Sequence, residues 1–163
     1  MVNLKLLSRV PACAAILAAA ILAQQKYTGP LPPQKDLPYL VHGDNLLATD
    51  ATVAQSQEKK NDTTYTIPGE AAKAKTPLAS PIFVFESAKI EATRLQLFHL
   101  DVRNGHREVT FQKRGRGGAQ PLKLSVSPVS GSVYRIEAAE SLPNGEYALT
   151  PDGSNDAFCF TVY

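Results

Sequence analysis

From Pro81 to the end of the chain, apolar residues recur at every second position in short runs separated by turn residues, which is the period of half-buried strands. Ile82 to Phe85 is the exception, a continuous apolar run of the kind expected for a strand covered on both faces. Asn104-Gly105 then joins two alternating segments, Leu95 to Val102 and Glu108 to Gln112, and a two-residue loop of this type predicts a type I′ hairpin. That turn sets a register in which Arg103 faces His106, Val102 faces Arg107 and Asp101 faces Glu108. Extended along the strands, it opposes Leu100 to Val109, His99 to Thr110 and Phe98 to Phe111. Leu95 and Leu97 sit in the opposite phase to Phe98 and Leu100, which predicts a bulge or bend near Leu97. A second hairpin is expected from Leu122, Leu124 and Val126 through Pro128 to Ser132 into Tyr134, Ile136 and Ala138. A third joins Glu146 to Thr150 and Ala157 to Tyr163 across Pro151-Asp152-Gly153-Ser154. With strands about 10 to 12 residues apart and no helical period after residue 80, the expected fold class is all-β, an antiparallel sandwich spanning 81–163.

The pattern weakens upstream. Residues 39–80 read as a weakly structured segment with one or two strands: a first within Tyr39 to Leu47, and an edge strand at Thr63 to Ile67 that stops at Pro68-Gly69. Residues 50–61 read as a short exposed helix or an irregular connection, and Glu70 to Ser80 as a loop. Pro30, Pro32, Pro33 and Pro38 fix φ and remove backbone donors, so 24–38 is expected to be an extended tether. Ahead of it, Lys5 and Arg9 precede an uninterrupted stretch of Ala, Cys, Ile and Leu from Ala12 to Ala23, which breaks at Gln24. A basic start, a short apolar segment and a small residue at the break form a secretory signal pattern, expected to occupy 1–23 and to be cleaved after Ala23. Twelve helical residues would reach only about 18 Å of a hydrocarbon core roughly 30 Å thick, so contact with the membrane is expected only in transit.

Cleavage changes the charge picture. The full chain carries 17 basic and 15 acidic residues, and the signal segment takes two bases and no acid, leaving the remainder neutral. Polyanion or nucleic-acid binding therefore finds no support in overall charge. Of the two cysteines, Cys13 falls in the signal segment and Cys159 is left without an intramolecular partner, so disulfide stapling is not expected. Cys159 alternates with Phe158 and Phe160 and reads as a buried, inert thiol.

Within the late strands, Leu142-Pro143-Asn144-Gly145-Glu146-Tyr147 resembles the tyrosine corner of Ig-like and fibronectin type III-like sandwiches. The resemblance implies a fold and carries no activity with it.

Two groups of side chains are candidate sites. His99, Asp101, His106 and Glu108 share the polar face of the first hairpin, and directly opposed carboxylates repel unless a cation lies between them. A divalent metal assisted by imidazole would serve; Arg103, diagonal to Glu108, would serve without one. Lys113, Arg114 and Arg116 form a basic, glycine-rich loop suited to contact with an anionic group or surface. No nucleophile with a base at workable spacing stands out, so the chain is not expected to be an enzyme or to need a cofactor. The expectation is a secreted or periplasmic, non-catalytic module that binds or scaffolds a protein or envelope component. The alternatives are a metal-binding or enzymatic protein using the His99, Asp101, His106 and Glu108 face, and an assembly subunit pairing through the Thr63 to Ile67 edge.

Overall fold

The computed structural model describes residues 28–113 and 118–163; the expected signal segment 1–23 lies outside the described residues, as do Arg114 and Arg116. The first strands are β1 (Tyr39–His42), β2 (Asn45–Ala48), β3 (Asp50–Val53), β4 (Gln55–Lys59), β5 (Asp62–Pro68), β6 (Lys75–Thr76) and β7 (Ile82–Glu86). After a 3₁₀ turn at Ala92–Arg94 come β8 (Leu95–Arg103), β9 (His106–Gln112), β10 (Leu124–Ser130), β11 (Val133–Ala138), β12 (Gly145–Pro151) and β13 (Asp156–Val162). The fold is all-β, and every pairing is antiparallel except that of β6 with β13. One sheet has the order β10-β11-β7-β1-β2 and the other β3-β13-β12-β8-β9-β5-β4, with β6 added alongside β13.

The sheets pack face to face. Phe83, Phe85, Leu40 and Ile136 of the five-stranded sheet meet Leu97, Tyr147, Leu149, Phe160 and Val162 of the larger one in a single buried cluster. Phe83 and Phe160 stand edge to face at 5.0 Å, and the Tyr147 ring stacks on Phe160 at 5.5 Å. Each fully buried Phe or Leu contributes about 1.5–3 kcal/mol of transfer free energy, so this cluster is the main source of stability.

The second sheet has an uncommon feature. Its terminal strands, β3 and β4, are consecutive in the chain and separated only by Ala54, whose N–H donates to the Asn155 carbonyl at 2.8 Å. A sheet whose two ends are one continuous segment must curl round on itself. The curled half encloses a second, smaller cluster of Ala54, Ile67, Ala72, Leu100, Ala148, Ala157 and Cys159. Strands β12 and β13, with β8 from Leu95 to Phe98, are consequently covered on both faces, by the five-stranded sheet outside and by the curl inside.

This architecture corrects several expectations. Over 39–80 there are six strands where one or two were expected, and 50–61 holds β3 and β4 rather than a helix or loop. The Thr63 to Ile67 strand is not an edge, because β5 is bonded to β4 on one side and β9 on the other. Both expectations leaned on hydrophobic period, and β4 (Gln-Ser-Gln-Glu-Lys) is exposed throughout and shows none. No bulge interrupts β8, which pairs residue for residue with β12 from Leu95 to Leu100; its phase change reflects burial on two faces. The described part of the Pro-rich stretch is held to the domain, with Pro38 buried and Asp36 fixed to the loop after β7.

The Asn104-Gly105 turn forms as expected, with φ of 50° and 80°. Arg103, Val102 and Asp101 pair with His106, Arg107 and Glu108 as the turn dictates, and there the β8 and β9 ladder ends. The expected backbone pairs beyond it do not form. In their place the chain after β9 enters the fork: Ala119 N–H donates to Thr110 and Leu122 N–H to Leu97, at 2.9 and 2.8 Å. Phe98 and Phe111 still meet through their side chains, edge to face at 5.1 Å.

Candidate functional site

Strand registers determine which side chains point into the curl. On β8 these are Gln96, Phe98 and Leu100; Ala148 and Thr150 align with them on β12, and Ala157 and Cys159 on β13. From the opposite wall come Thr63, Tyr65 and Ile67 of β5 with Phe111, Val109 and Arg107 of β9. Between the walls lies a cavity of about 300 Å³, floored by Phe98, Leu100, Ala148 and Ala157 and roofed by Tyr65, Ile67, Val109 and Phe111. Its rim carries Thr63, Gln96 and Thr150 with the Gly153 to Asn155 turn, and none of its lining residues is charged.

The far end of the curl is stoppered by the loop after β5. Arg107, buried on β9, donates to the carbonyls of Gly69 at 3.0 Å and Pro68 at 3.1 Å and lies 3.5 Å from the Glu146 carboxylate. Glu146 accepts from the Ala72 N–H at 2.9 Å and from the Thr161 hydroxyl at 2.6 Å. Ala72 is thereby held under the small cluster, and the chain continues into β6 beside β13. Every hydrogen bond here crosses long sequence distances, which is how two buried charges are tolerated: each is paired and each has further partners. Neither residue stood out in the sequence, where Arg107 appeared only as the partner of Val102 and Glu146 only within strand and tyrosine-corner segments.

Cys159 belongs to the small cluster that the curl encloses and does not line the cavity. It is fully buried, and loss of hydration pushes its thiol up to about 11, an effect that the nearby Arg107 cation only partly offsets. A thiol held in its protonated form is a poor nucleophile.

The polar face of the first hairpin takes a different form from a metal centre. Asp101 and Glu108 are directly opposed, as the turn requires, and Arg103 lies 3.7 Å from the first and 3.5 Å from the second. His106 Nε2 is 3.1 Å from Glu108. His99 turns away, packing edge-on to the Tyr147 ring at 5.1 Å. Among the described residues no three His, Cys, Asp or Glu side chains gather as a metal would require. Of the basic loop, Lys113 is described, and its ammonium pairs with Glu58 at 2.7 Å, bridging the ends of β9 and β4.

The expected tyrosine corner has its defining contact: the Tyr147 hydroxyl donates to the Pro143 carbonyl at 2.7 Å. No protein-family model, curated protein or solved structure matches the chain.

Proposed function

We propose that this chain is an exported, non-catalytic binding module, working outside the cytoplasm with a partner or ligand of the cell envelope or its surroundings. The observation that carries the binding half of this reading is the cavity inside the curled sheet, which is lined by apolar and uncharged polar side chains. Sites that hold small molecules are concave and mostly apolar with a few polar groups, whereas acid, base or nucleophilic catalysis needs titratable side chains in reach of the substrate. Export rests on the basic start and apolar stretch of residues 1–23. The tyrosine-corner hydrogen bond supports kinship with Ig-like sandwiches, from which the curl of the second sheet would be a departure.

Export is tested by expressing the full chain in a bacterial host and sequencing the N-terminus of the recovered protein. Recovery from the periplasm or medium with Gln24 first is the expected result. Protein retained in the cytoplasm with its first 23 residues intact overturns the reading. Replacing Leu17 by Arg in the apolar stretch is expected to abolish export, because a charge at the centre of an apolar segment opposes insertion by about 2.5–3.5 kcal/mol.

A further inference from the structure

We infer that the cavity in the curled sheet is a binding site for a neutral, one- or two-ring aromatic molecule carrying one hydrogen-bonding group. The inference rests on the reading of the chain as a binding module and names the ligand class.

Volume comes first. An apolar protein cavity of about 150 Å³ accepts a single benzene ring, and the space here is about 300 Å³. It therefore suits a fused or linked pair of rings and is too small for a peptide segment with its own backbone groups to satisfy.

Charge comes second. No lining residue is ionisable apart from the Tyr65 phenol, and the buried Arg107 and Glu146 beyond the far wall already satisfy each other. A charged ligand entering this space would lose hydration without gaining a counter-ion.

Shape and polarity come third. Tyr65 and Phe98 both stand edge-on to Phe111, at 5.6 and 5.1 Å with interplanar angles of 87° and 84°. This gives the walls an aromatic lining on which a flat ring can stack. At the rim, Thr63, Gln96 and Thr150 make no side-chain hydrogen bond among the described residues. Their donors and acceptors are thus free to orient a hydroxyl or carbonyl at the open end. The roof is also the less constrained wall, since β9 is bonded to β8 over only Asp101 to Arg103 before the strands diverge.

The experiment uses 2-naphthol as probe and 2-naphthoate as its charged counterpart. Binding is read by isothermal titration calorimetry, which serves the tryptophan-free wild-type chain and a tryptophan-bearing variant alike. Saturable one-to-one binding of naphthol is expected, with naphthoate at least tenfold weaker. Two substitutions report location: Thr63→Trp fills the space from a half-exposed position, and Thr150→Val removes a rim hydroxyl at nearly constant volume. The first is expected to abolish binding and the second to weaken it severalfold, with both variants keeping the wild-type strand signal in circular dichroism. Methyl NMR of Val109 and Ala148 would show contacts to the bound ring even if Thr63→Trp failed to fold. Absence of saturable binding, equal affinity for naphthoate, or undiminished binding by folded Thr63→Trp overturns the inference. None of these outcomes bears on export, which the N-terminal sequence decides separately.

Discussion

At the scale of single residues, the chain concentrates its unusual energetics in a few polar side chains. Asp36 is the first. It sits in the left-handed region at φ 58°, and its carboxylate accepts from the N–H groups of Ala88, Lys89 and Ile90 at 2.8 to 3.0 Å. Burial pulls its carboxyl upward, but the three N–H donors and the nearby Lys89 cation hold it below its ordinary value of 3.8. A lowered folded-state value stabilises the fold above pH 3.8, and that contribution is lost as pH falls through the folded value. Asp36→Ala keeps the left-handed strain but loses the carboxylate hydrogen bonds that offset it, and is expected to cost about 1–3 kcal/mol. Asp36→Gly should cost less because the strain is absent, and Asp36→Asn least. Denaturant titrations at pH 7 and pH 3 check both the order and the reduced acid sensitivity of the Asn variant. The Arg107 and Glu146 pair makes a sharper prediction. Arg107→Met leaves the Glu146 carboxylate buried without its cation and should cost about 3–5 kcal/mol, whereas Arg107→Met with Glu146→Leu should recover much of that loss. If the double variant proves no more stable than the single, the pair is not the reason for the cost. Sequence pattern revealed Cys159 as buried, since its neighbours alternate with it, but it did not reveal this pair, whose partners lie 39 positions apart.

Among the strands, what was legible followed from local chemistry. Three hairpin turns were readable because Asn104-Gly105, Gly131-Ser132 and Asp152-Gly153 each favour a reversal over a few residues, while Pro128 and Pro151, expected in the turns, end up paired within β10 and β12. Partner choice beyond a turn was not, because it depends on competition between distant segments. The first hairpin shows this: its turn sets three pairs, after which β8 continues with β12 and β9 with β5. The polar strands β3 and β4 were invisible for a related reason. Their ladders are supplied by backbone groups, and β4 buries no side chain from which a period could be read. The tyrosine corner lay between these cases, a local motif whose hydrogen bond spans four residues. Tyr147→Phe deletes that bond while keeping the ring stacked on Phe160. The expected loss is about 1 kcal/mol, or roughly 2–4 °C in a thermal melt for a chain of this size. A loss several times larger would mean that the corner fixes the entry of β12 rather than adding one bond.

For the molecule as a whole, the decisive fact is that its two apolar clusters share their strands. Leu97, Leu149 and Phe160 face the five-stranded sheet, while Leu100, Ala148 and Cys159, on the same three strands, face the curl. Neither cluster can lose its floor without exposing the other, so the domain should unfold in one transition despite having two cores. Phe83→Leu perturbs only the first cluster and Ile67→Val only the second. Each should lower the midpoint of a single calorimetric transition whose van't Hoff and calorimetric enthalpies agree. The Ile67 change should cost about 0.5–1.5 kcal/mol and the Phe83 change more, since a buried ring leaves the larger void. Below the global transition, local opening should follow the topology. Amide hydrogens of β12, β13 and the Leu95 to Phe98 part of β8 should exchange slowest, being covered on both faces, and those of the exposed β4 fastest. Two resolved transitions, with Ile67→Val moving one and Phe83→Leu the other, would show instead that the curled half opens by itself. In that case the cavity would lose its roof while its floor, still packed on the five-stranded sheet, stayed folded.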